Sequence, residues 1–229
     1  MKISEKRHIL HLLRSGPLEK MLAACAEVEA RQLVNPLFSG ICHADQTVRW
    51  HAVMAMGPTV ARLADEDMEA ARVVMRRFMW SLNDESGGIG WGATESMAEI
   101  MACHAGIAAE YCHILVSYMR EDGSYLEYEP MQRGLLWAIA RLAEFRRDLL
   151  LEKGAAGHLL PYLDSPDTGV RGLAAHGAGR LGIAAAAERL RALAGDRGEV
   201  ALYLPARDRL VSRSVAELAA AALAAINAA

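Results

Sequence analysis

Apolar residues recur along this chain at three- and four-residue intervals, and the blocks they form recur in turn. At the start, Ile3, Leu10 and Ile9, Leu12, Leu13 predict an amphipathic helix over Ile3–Arg14. A second helix is predicted over Pro17–Leu33, with Gly16-Pro17 between them as stop and start signals. Further on, Asp45 to Gly57 carries the pattern D-x-x-V-R-x-x-A with a Gly nine residues beyond the Val. Asp167 to Gly179 carries it again, and Asp208 to Arg213 begins a third copy. Two degenerate copies fall around Ile89 and Met131. The markers Val48, Ile89, Met131, Val170 and Val211 are spaced by 41, 42, 39 and 41 residues.

The position nine residues past each marker holds Gly57, Ala98, Ala140, Gly179 and Ala220. A column of small residues predicts close approach of neighbouring helices. Each marker helix follows another helical stretch: 35–43, 67–82, 108–119, 155–163 and 184–193. Six antiparallel helix pairs result, with a period near forty, the length of a two-helix HEAT or armadillo unit. Asp45 and Asp167, and Asp208 by register, sit where an N-cap accepts the free amides of a first turn. Arg49 and Arg171 are expected to hydrogen-bond within this ladder, with Asp45 and Asp167 as their acceptors.

These segments resemble the HEAT-like repeats named after phycobilisome lyases. In those, an acidic turn opens onto V-R-x-x-A-A-x-A-L-G; Ser165 to Ala175 is the nearest match. The resemblance covers residues 35–229 and implies a bacterial member of that group. It implies an all-α chain, a right-handed α-α superhelix (solenoid) of about five to six HEAT-like helix pairs. One repeat domain would span 1–229: a capping pair at 1–34, then repeats at 35–64, 66–104, 107–146, 150–182 and 184–229. Two copies depart from the pattern, with Gly90 in place of the Arg and the Arg displaced to Arg133.

Three insertions interrupt the array. Asn83–Gly92 holds four Gly in six positions, beside Asp84, Glu85 and Trp91. The carboxylates suit a hard cation, Trp91 a planar ligand, and amides such as that of Gly88 an anion. The same segment also reads as a long turn capped by Ser86. Glu121–Pro130 is acidic and carries Tyr125 and Tyr128, which suits a basic or amphipathic partner segment. In the third insertion, 195–208, Val200–Leu204 reads as a short extended stretch. The expected partner-binding rim is therefore Asp84, Glu85, Gly88, Trp91, Tyr125 and Tyr128. Cys42-His43, Cys103-His104 and Cys112-His113 offer thiolate and imidazole, but no C-x-x-C or H-x₃₋₅-H spacing accompanies them. They read as core or helix-end residues, and no metal or cofactor is expected.

Composition narrows the function classes. Net charge is −3, aromatic residues are 6% and charged residues 23% of the 229 positions. Nothing advertises an anionic partner, and no apolar run reaches bilayer length. The N-terminal apolar run is broken by His11 and Arg14 and lacks a small-x-small cleavage site, so a cytoplasmic protein with reduced cysteines is expected. The pattern favours a non-catalytic scaffold that presents a concave helical face and an acidic, aromatic rim to an as yet unidentified protein partner. The resemblance adds a second reading, a bilin or tetrapyrrole lyase-like accessory protein. A third is an enzyme like the HEAT-like DNA alkylpurine glycosylases, which would need Arg72, Arg76, Arg77, Arg141, Arg146 and Arg147 on one face. The Ala-rich C-terminal helix, poorly capped by polar residues, leaves homodimerisation open.

Overall fold

The computed structural model describes residues 3–83 and 90–228. It is all-α apart from one two-stranded hairpin, and its helices stack as an α-solenoid of repeats. The chain divides into two compact units: Met1–Ala108 with Leu204–Arg209, and Ala109–Tyr203 with Leu210–Ala229.

The first unit contains α1 (Ile3–Leu12), α2 (Leu18–Ala26), α3 (Ala30–Ile41), α4 (Gln46–Glu66), α5 (Met68–Leu82) and α6 (Ala93–Cys103). Its centre is α4, which packs against α2, α3, α5 and α6 and so buries residues on several faces, from Val48 through Ala64. Asp45 starts this helix as expected, accepting from the amides of Thr47 (2.9 Å) and Val48 (3.4 Å). The helix expected over 17–33 ends early, at Ala26, and α3 begins at Ala30 and runs on through the stretch expected at 35–43. Glu29 is extended there, at φ −55° and ψ 132°, so the chain turns without Gly or Pro.

The second unit holds most of α7 (Ala105–Ser117), then α8 (Glu129–Glu152), α9 (Ala155–Leu159), α10 (Thr168–Leu181), α11 (Ala187–Ala192) and α12 (Val215–Ala228). Here α10 lies between α8 and α12. Asp167 caps it by accepting from the Val170 amide at 2.8 Å. The small-residue column does what its spacing predicts at two places. A Cβ on Gly57 would come within 2.9 Å of the Glu99 carbonyl, and one on Gly179 within 2.7 Å of the Ala222 Cα. Ala220, by contrast, is exposed.

The last copy of the pattern departs from expectation. Arg209–Ser214 is a strand, β2, paired with β1 (Glu199–Leu204), and α12 starts only at Val215. The extended stretch expected at 200–204 is β1. Asp208 therefore caps no helix of its own repeat. It sits in the hairpin turn with φ +47°, and its carboxylate accepts from the Leu18 amide at 2.8 Å, at the start of α2. The same carboxylate meets His51 Nε2 at 2.9 Å, while His51 Nδ1 faces the Leu13 carbonyl at 2.8 Å. His51 is 1% exposed. One α-helix start and a buried imidazole are thus tied through a residue distant in sequence.

Candidate functional site

In the second unit, the acidic insertion is a built structure. Gly123 N donates to Arg120 O, Ser124 N to Ser117 O, and Leu126 N to Tyr118 O, so the loop folds back on the end of α7. Gln132, buried on α8, fixes it from below: its Nε2 donates to the Leu126 carbonyl at 2.8 Å and to Tyr125 Oη at 3.1 Å. A short 3₁₀ turn, Leu160–Asp164, follows α9 and brings Tyr162 opposite. Its ring centroid lies 6.5 Å from that of Tyr125, and its hydroxyl donates to the Met119 carbonyl at 3.2 Å. Burial, followed by the nearby Tyr125 and Glu121, pushes the Tyr162 phenol above its ordinary range, so it stays neutral.

Between these walls lies a cleft of about 690 Å³. Met119 and Tyr162 are buried at its base, and Pro161 and Pro166 flank it. Glu121, Asp122, Glu127, Glu129 and Asp164 stand exposed around it. Arg120 makes a bidentate pair with Asp122 (2.9 and 2.7 Å), which holds that carboxyl below the usual range. Asp164 meets Arg189 at 3.0 Å. Among the described residues, Glu121 and Glu127 have no cation within ion-pair distance. Tyr125 lines this cleft, whereas Tyr128 is 51% exposed and outside its lining. Tyr162 and Asp164 were not anticipated; the Pro-bracketed run Pro161 to Pro166 was the available signal, in the next repeat at the same register.

Asp84, Glu85 and Gly88 lie outside the described residues. Trp91 belongs to the first unit, beneath the Arg49 guanidinium, which stands 5.5 Å from its ring centroid. Arg49 also reaches Glu95 of α6 at 3.7 Å. Glu95 is buried and accepts from Thr94 Oγ1 at 3.0 Å, and Glu99 is buried one turn further on. The arginine ladder thus differs from the expected intra-repeat pairing. Arg49 takes Glu95, Arg171 takes Asp196, and Asp167 pairs with Arg133, the displaced arginine of the preceding copy. Each arginine reaches forward along the chain, and the Asp167 carboxylate accepts from both the Val170 amide and Arg133.

Two of the three Cys-His pairs, Cys42-His43 and Cys103-His104, lie at helix ends, whereas Cys112-His113 lies within α7. His43 Nδ1 accepts from the Asp45 amide at 2.9 Å, and His104 Nδ1 from the Ile107 amide at 3.1 Å. Burial raises the thiols of Cys25, Cys42 and Cys112, the last to about 11, so none of these three is poised as a thiolate. Among the described residues, no three His, Cys, Asp or Glu side chains converge to hold a metal ion. The arginines required for a nucleic-acid face have local partners in each unit. Arg72 and Arg76 pair with Glu69, and Arg77 lies over Phe38 at 3.9 Å. Arg141 pairs with Glu144, and Arg147 donates to the Leu181 carbonyl at 3.0 Å.

No helix among the described residues is long and apolar enough to cross a membrane. No known family's sequence model matches the chain, and no curated protein resembles it significantly in sequence. Solved structures do resemble it in fold. A crystal structure of an engineered protein is 18% identical, with a TM-score of 0.55, covering 100% of this chain and 98% of the other. A designed armadillo repeat protein is 19% identical, with a TM-score of 0.52 over 96% of this chain and 99% of its own. Another designed armadillo repeat protein, in complex with the peptide (KR)4, is 20% identical, with a TM-score of 0.52 over 96% and 98%. At these identities the likeness concerns fold alone, and it supports a helical repeat protein with an all-α solenoid fold.

Proposed function

We propose that this chain is a non-catalytic binding scaffold and that the acidic, tyrosine-walled cleft of the second unit receives a segment of a protein partner. The observation that carries this reading is the preformed cleft itself. Its loop is held by Gln132 and by backbone bonds, so little ordering remains to oppose binding. The designed armadillo protein that binds (KR)4 supplies a precedent for a peptide on such a scaffold. The finer assignment, to HEAT-like repeats of the phycobilisome-lyase type, rests on the D-x-x-V-R-x-x-A segments, and a cytoplasmic location on the sequence features given above. Trp91, Tyr128 and the segment with Asp84, Glu85 and Gly88 remain proposed as further contacts.

A steric block tests the cleft. Gly157 lines it, sits in α9, and a Cβ added there meets nothing within 4 Å. The Cβ of G157F has open space, its ring adds bulk to the wall of the cleft, and Phe improves on Gly in a helix. Affinity capture from the native lysate should retain a protein with the wild-type chain and lose it with G157F. Identical protein recovery by both would contradict the placement. Retention of a pigment or nucleotide without protein would contradict the scaffold.

A further inference from the structure

From the charge and shape of this cleft, we infer that its occupant is an extended peptide segment carrying Lys or Arg at alternate positions. The inference rests on the scaffold reading and adds the chemistry of the ligand. Two of the rim acids, Asp122 and Asp164, are already compensated by Arg120 and Arg189. Glu121 and Glu127 are left without a cationic partner among the described residues, on either side of Tyr125 in the same loop. Two uncompensated carboxylates beside the half-buried Tyr125 and the buried Tyr162 favour a cation over a neutral or anionic group. The base of the cleft is apolar, formed by Met119 and the Tyr162 ring, with Pro161 at its flank. The aliphatic stem of a lysine or arginine can lie there while its head reaches the rim. Side chains of an extended strand alternate between faces, so basic residues two apart enter on the same side. A hard metal ion fits less well, because the apolar base offers it no oxygen ligands.

The probe is a fluorescein-labelled hexapeptide alternating Arg and Ala, titrated with the full chain and read by anisotropy. A second peptide carries Glu in place of Arg. The arginine peptide should bind and the glutamate peptide should not. Raising salt from about 50 to 300 mM should weaken binding several-fold. The double variant E121Q/E127Q keeps size and hydrogen-bonding capacity, and should weaken the arginine peptide about tenfold. Thermal melting of the variant should match the wild type. Equal binding of both peptides, no binding of either, or an unchanged affinity in E121Q/E127Q would overturn the inference. A partner captured by the wild type and by E121Q/E127Q but lost by G157F would overturn the basic-ligand chemistry alone and leave the scaffold standing.

Discussion

Asp208 is the residue that most changes the picture given by the sequence. Its spacing from Val211 matches that of Asp45 from Val48, yet it serves a helix start 190 positions away in the chain. The local pattern carries no information about that distant partner. Asp45 and Asp167, whose acceptor role is local, were legible for that reason. Removing the carboxylate in D208A leaves the Leu18 amide without its acceptor and the buried His51 without its Nε2 partner. The expected loss is about 2–4 kcal/mol in urea unfolding. D208G should lose about 1 kcal/mol less, because φ +47° suits Gly better than Ala. Equal losses would show that the turn is unstrained.

His176 on α10 makes a second residue-scale prediction. Burial, aided by Arg180, pushes its imidazole down to about 4. The folded state therefore favours the neutral ring, and the unfolded chain takes up the proton first as pH falls. The stability this confers is complete above about 6.5 and disappears as pH falls toward 4. Between pH 7.5 and 4.5 the wild type should lose up to about 3 kcal/mol more than H176Q. The comparison isolates the histidine from carboxylates such as Asp167 and Asp196, which their arginine partners hold low. Parallel losses in the two proteins would rule the histidine out.

At the scale of elements, period and small-residue spacing carried most of the fold. The marker helices α4 and α10 start where Asp45 and Asp167 place them, and α5 ends at Leu82 as expected. The hairpin was half legible. Val200–Leu204 reads as extended, but Arg209–Ser214 shares the valine and arginine of a helix start, and only its long-range pairing makes it a strand. The break after Ala26 carries no Gly or Pro and was not legible for that reason. Two glycines test the distinction between contact and mere presence. G179A should cost about 1–3 kcal/mol, since its Cβ would meet the Ala222 backbone at 2.7 Å. G157A meets nothing and should stabilise by about 0.5–1 kcal/mol. Similar melting shifts for both would contradict the close approach of α10 and α12.

For the whole molecule, a net charge of −3 concealed how charge is distributed. Arg49, Arg133, Arg141 and Arg171 meet carboxylates, while in the acidic loop Glu121 and Glu127 have no cation within ion-pair distance among the described residues. The acidic loop with Tyr125 was visible in the sequence; the facing turn with Tyr162 was not, because only folding brings the two repeats' turns together. If this cleft is where a partner binds, its two walls lose solvent access on binding. Amide hydrogen exchange of the full chain, alone and with its captured partner, tests it most directly. New protection should be confined to 118–128 and 157–166. Protection elsewhere, with these two segments exchanging at unchanged rates, would contradict it.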